Sequence, residues 1–133
     1  MNVIIDTGWI VGFLNRQDQH HKWAEDYAAR IDFPALVCES VLAESVFRAN
    51  APAVLSLIES GILKIAFRID EHQLEISKLA NTYQDRAPGL ADLCVIRMSE
   101  IFRQRTVLTV DHDDFSVYRR NRFEKIPFRS PKN

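Results

Sequence analysis

Two hydrophobic patterns alternate along the chain. Short, largely apolar runs occur at residues 3–6, 35–38, 62–67 and 106–110, several of them rich in β-branched side chains, as in buried strands. Between them, apolar residues recur three and four apart, the spacing of a helix with one buried face. Trp9, Ile10, Val11, Phe13 and Leu14 predict a first helix, and Trp23, Tyr27 and Ala28 a second over residues 20–31. Ser40 is a candidate cap for a third, with Val41, Leu42, Val46 and Ala49 on its buried stripe. A fourth starts near Pro52 and ends at Gly61, the usual order of an early proline and a late glycine.

Asp70 with Gln73 forms a possible capping box for a fifth helix through Leu74, Ile76, Leu79 and Tyr83. Pro88-Gly89 makes residues 84–89 a loop. Residues 90–102 are apolar almost all round, which predicts a central, buried helix. Residues 126–128 offer a fifth strand at a sheet edge. Helix pairs separating short buried strands give an α/β class with a parallel-dominated sheet of four or five strands. The 133 residues contain no repeat or linker and form one domain, residues 1–133.

Composition changes this picture little. With 47% hydrophobic and 26% charged residues, 4 Gly and 5 Pro, the chain is neither disordered nor fibrous. No stretch is long enough to span a membrane, and no leader pattern opens the chain. Cys38 and Cys94 lack metal-type spacing and read as core residues of a reducing, cytoplasmic compartment. Net charge is −1 but unevenly spread. Residues 1–102 hold 9 Lys and Arg against 14 Asp and Glu, and residues 103–133 hold 8 against 4. Arg119, Arg120 and Arg122 lie in that basic end, where they could hold a nucleic-acid backbone or simply be solvated.

The candidate chemistry lies in four acids, Asp6, Glu44, Asp92 and Asp111, each where an apolar stretch meets a polar one. Asp6 and Asp111 both end strand-like runs. In a parallel sheet those ends share one edge, so the two carboxylates meet if the strands are neighbours. Clustered carboxylates repel unless a cation lies between them, and all-oxygen donors select hard ions such as Mg²⁺ or Mn²⁺. Each acid also has a purely structural reading. Asp6 could cap the helix at Thr7, Glu44 could be solvated, and Asp92 could sit at a helix N-terminus for its dipole.

Thr7 and Thr109 stand close enough in sequence to orient a carboxylate or a water. Asp114 could reach the site, Asp85 lies behind the ligands or at the surface, and Asp113 is solvated. His20, His21, His72 and His112 show no ligand spacing and read as exposed. There is no Gly-rich phosphate loop and no GxSxG elbow, which removes NTPase and serine hydrolase readings.

Four segments in order carry a resemblance: VIIDTGWIVGFLNRQDQHHKWA, ALVCESVLAESVFRA, YQDRAPGLADLCVIRMSE and VLTVDHDDF. Together they resemble the PIN domain family, specifically VapC-like toxin ribonucleases of bacterial toxin–antitoxin pairs. The resemblance implies a three-layer α/β/α fold. It implies catalytic Asp6, Glu44, Asp92 and Asp111, with Mg²⁺ or Mn²⁺ on Asp6, Asp92 and Asp111, and hydrolysis of RNA phosphodiester bonds. A homodimer and a VapB-like antitoxin are also implied, and Trp9, Phe13 and Trp23 could line the partner groove if they are not core. Gly8 departs from the pattern, since a Ser is frequent there. The alternatives are a non-toxin PIN-like nuclease, an inactive nucleic-acid- or protein-binding module on the same fold, and a phosphotransferase with Asp6 as nucleophile. The last is weakened by Gly8, which leaves no acid two residues after Asp6.

Overall fold

The structure, a computed structural model, describes residues 1–132. Five strands form one sheet: β1 (Val3–Ile5), β2 (Ala35–Val37), β3 (Leu63–Ile65), β4 (Thr106–Leu108) and a two-residue strand, Phe128–Arg129. The last is numbered β7, because a small hairpin of β5 (Arg119–Arg120) and β6 (Glu124–Lys125) precedes it. The order across the sheet is β3-β2-β1-β4-β7, and every pairing is parallel. Val3, Ile4 and Ile5 pair with Thr106, Val107 and Leu108, which puts the two strand ends that precede Asp6 and Asp111 side by side.

Parallel strands need crossover connections, and here helices supply them. They are α1 (Thr7–Leu14), α2 (His21–Ala28), α3 (Glu39–Arg48), α4 (Ala51–Glu59), α5 (Gln73–Thr82), α6 (Leu90–Ile101) and α7 (His112–Val117). Val3, Ile4 and Ile5 are each 0% exposed, so both faces of the central strand are covered, as a three-layer α/β/α arrangement requires. The all-round apolar pattern of α6 has the same cause: Cys94, Val95, Ile96 and Met98 are fully enclosed between β1, α3 and α5. Trp9 is enclosed in the core and stacks on Phe13, with ring centroids 4.8 Å apart, and Trp23 packs half-buried against Tyr27.

Several sequence expectations shift. The capping box at Asp70 does not form, because Arg68 takes that carboxylate at 2.9 Å and a 3₁₀ turn (Ile69–Glu71) precedes α5. The edge strand falls two residues later than its apolar run, at Phe128, with Ile126 turned into the core. The histidines are half-buried, and three of them are engaged through their rings. His21 Nδ1 lies 2.8 Å from the Gly12 carbonyl, His72 stacks on Phe67, and His112 meets Ser130 Oγ at 2.8 Å.

Candidate metal centre

Asp6 follows β1 and caps α1. Its Oδ1 accepts the Thr7 N–H at 2.9 Å, so the capping role and a site role coincide in one side chain. Its Oδ2 accepts the Thr109 hydroxyl at 2.7 Å, and the same hydroxyl oxygen accepts the Asp111 N–H at 3.0 Å. Thr109 therefore joins the ends of the two central strands through a single side chain. Asp92 stands in the first turn of α6 and accepts the Gly89 N–H at 3.3 Å. Each of Asp6, Asp92 and Asp111 offers an oxygen within 4.8 Å of the others.

Glu44 lies beside this trio. Its Oε2 accepts the Thr7 hydroxyl at 2.9 Å, and its Oε1 stands over Gly89, 3.8 Å from where a Cβ would sit. Asp114 is close enough to act on Asp92 and Asp111, and Arg86 holds its carboxylate at 2.9 Å. Asp85 is exposed and has no hydrogen bond or ion pair among the described residues; its neighbour Arg86 is the residue of that loop that reaches the site.

The electrostatics follow from the geometry. Burial pushes the Asp6 carboxyl up to about 6 against the pull of the Thr109 and Thr7 bonds, with Asp111 and Glu44 adding repulsion. Asp92 is pushed up to about 7, first by burial and then by the charges of Asp6 and Asp111. Asp111, at the exposed rim, is also raised, first by desolvation of its inner side and then by Asp114 and Glu44, while Arg48 opposes. Three acids that resist ionisation together are the donor set a small divalent cation satisfies. Arg48 and Arg86 escape sequence reasoning, since a lone Arg on a helix or in a loop carries no local signal.

The basic segment divides. Arg122 is exposed. Arg119 is half-buried, and its Nη1 caps α7 through the Ser116, Val117 and Tyr118 carbonyls. Arg120 does not fit the role of an RNA contact, because it is 6% exposed and its guanidinium is engaged within the fold. Its Nε donates to Glu124 Oε2 at 2.7 Å, and its Nη1 donates to the Ser99 carbonyl at 3.0 Å, near the end of α6. A guanidinium there satisfies a carbonyl that the helix leaves open. Arg120→Ala is therefore expected to cost about 1–3 kcal/mol of stability. Urea denaturation would show the loss, while RNA affinity at fixed salt stays unchanged.

Gly8 also finds an explanation. A Cβ at this position would come within 2.7 Å of Val110 Cγ1, so α1 passes too close to the end of β4 for any side chain while Val110 is present.

A scan of protein-family models finds no match to the chain. Ribonuclease VapC26 of Mycobacterium tuberculosis is 26% identical over 135 residues, spanning 94% of this chain and all of that protein. The crystal structure of VapC20 of Mycobacterium tuberculosis, described as a sarcin–ricin loop cleaving toxin, superposes with a TM-score of 0.72. It covers 84% of this chain and 92% of that one at 15% identity, and it speaks for the fold. The chain is similar in sequence to a VapC ribonuclease over nearly its whole length and shares the fold of a VapC toxin. In this domain the carboxylate cluster lies where Asp6 and Asp111 follow neighbouring strands and α6 brings Asp92 within reach of both. Among the described residues no helix is long and apolar enough to cross a membrane.

Proposed function

We propose that the protein is a metal-dependent endoribonuclease, the toxin of a VapBC-type pair, and that Asp6, Asp92 and Asp111 hold its Mg²⁺ or Mn²⁺. The observation that carries the reading is the convergence of three carboxylate oxygens within 4.8 Å, two of them on groups raised to about 6 and about 7. When bound, such an ion supplies Lewis acidity toward a phosphodiester and a lowered pKa for water. The chain's own groups do the rest. Thr109 and Thr7 fix the Asp6 carboxylate in place, so little reorganisation is needed to receive charge. Glu44 is fixed through Oε2 by Thr7, which leaves Oε1 as the atom that takes a proton from attacking water. Arg86 and Arg48 flank the rim and offset the negative field that would otherwise repel RNA.

The ribonuclease and toxin names of its relatives support RNA as the substrate and an antitoxin as partner, and the sequence resemblance adds a VapB-like identity for that antitoxin and a homodimer as the assembly. Two free buried thiols fit a reducing cytoplasm.

The test is RNA cleavage with and without chelation, since cleavage that survives complete chelation removes metal catalysis. Protons compete with the metal for these acids. Because the folded carboxyl values lie above the ordinary 3.8, Mn²⁺ affinity is expected to be full above about pH 7. It should fall by roughly tenfold or more per pH unit below about 6. Titration calorimetry at pH 5.5 and 7.5 would show this, and equal affinity at both would move the ion elsewhere.

A further inference from the structure

Away from the acidic cluster, a cavity of about 700 Å³ opens between α5, the later part of α6 and the β5–β6 hairpin. Two locally unfavourable features meet at the hairpin tip. Asn121 and Arg122 adopt left-handed φ values of 49° and 74°, which costs a side-chain-bearing residue energy, above all Arg122. The Asn121 N–H is held by Glu100 Oε2 at 2.7 Å. The turn presents Phe123 87% exposed at the cavity mouth, with no apolar surface covering it.

The cavity is chemically mixed in a particular way. Its two acids, Glu75 and Glu100, are engaged by Arg97 at 3.4 and 3.1 Å. Lys78 and Arg122 are exposed and have no ion pair among the described residues. Asn81 and Asn121 supply amides that both donate and accept. The inner wall is Tyr83, whose phenol oxygen accepts the Arg119 N–H at 2.8 Å. Tyr83 meets Tyr118 edge-on at 5.0 Å, and Tyr118 lies in the field of Asp92 and Asp114. One aromatic pair thus separates the cavity from the acidic cluster. The lining joins apolar carbon surface to cations, amides and two rings, the mixture that a base and its phosphate present.

We infer that the cavity seats an unstacked nucleotide of the RNA strand, away from the bond that is cut. Its base stacks on Phe123, and its phosphate is held by Arg122 and Lys78. The inference rests on the ribonuclease reading, and it assigns part of that enzyme's substrate grip to the hairpin. Stacking on an aromatic ring tolerates any base, so the platform adds affinity more than sequence choice.

Binding of an unstructured, fluorescein-labelled oligoribonucleotide, measured in chelator so that nothing is cut, tests this. Phe123→Ala is expected to weaken binding roughly tenfold with an unchanged melting temperature, because the ring contributes little to the core. Arg122→Ala should flatten the salt dependence by about 0.7 in log–log slope, the share of one single-strand phosphate. Phe123→Trp should keep the affinity and place an exposed indole on the surface. Its emission should be quenched by RNA, while enclosed Trp9 and half-buried Trp23 remain as background. A Phe123→Ala chain that binds and cuts RNA like the wild type overturns the platform and leaves the nuclease standing. Unchanged RNA affinity with loss of a copurifying protein also overturns it, and gives the hairpin to protein docking. A wild-type chain that binds no RNA overturns both readings.

Discussion

Asp6→Asn is expected to lower metal-supported RNA cleavage by at least about a hundredfold. Losing a partner that only orients a metal ligand costs roughly 10–100-fold in typical sites, and losing a ligand's charge should cost no less. The same change should leave the metal-free fold as stable as the wild type, or more so, at neutral pH. The Asp6 carboxyl lies at about 6 in the folded chain, against an ordinary value of 3.8. Between those values the folded chain binds a proton that the unfolded chain has released. The contribution to stability is therefore complete below about pH 4 and is lost as pH rises through 6. For a side chain only 4% exposed, two pH units correspond to about 3 kcal/mol at most. An Asn avoids that loss but disturbs the Thr109 hydrogen bond, which offsets part of the gain. Urea denaturation in chelator at pH 5 and pH 8 should show the gap between variant and wild type opening at the higher pH. A gap that widens at pH 5 would mean that burial of Asp6 is compensated by something other than a proton.

Gly8→Ser is expected to destabilise the protein by about 1–3 kcal/mol, the usual cost of overpacking. A Ser is the better helix former by roughly half a kcal/mol, too little to compensate. Adding Val110→Ala to the same chain should recover most of the loss, because the Val110 methyls are what a new Cβ would meet. Equal denaturation midpoints for Gly8→Ser and wild type would show that Val110 turns aside at no cost. What looks in the sequence like a missing hydroxyl is, in the structure, a position that the Val110 side chain closes to a Cβ.

Strand ends were legible because burial on both faces leaves β-branched runs such as Val3-Ile4-Ile5, and a polar residue then marks where each run leaves the sheet. Parallel topology put the strand ends on one edge, and the structure supplies the remaining condition, that β1 and β4 are neighbours. The hairpin was not legible. Arg119-Arg120-Asn121-Arg122-Phe123-Glu124-Lys125 has no alternation, and its pairing depends on a turn with left-handed residues that are not glycine. Arg120 reads as a solvated charge for the same reason: its partners Glu124 and the Ser99 carbonyl meet it only once that turn has formed. Asp70 shows the reverse failure, since a capping-box spacing was present but Arg68, two residues away, won the carboxylate. Local sequence carries periodicity well and carries competition between partners poorly.

The bond between Thr109 and Asp6 spans 103 residues. Strand β1 is synthesised well before its neighbour β4, and contacts this distant in sequence are the last such a pair of strands can form. A ribosome-bound chain that has not yet released residues 106–111 thus displays Asp6, Glu44 and even Asp92 without the strand that aligns them. The carboxylate cluster is therefore completed by a late contact, after most of its members have already been synthesised.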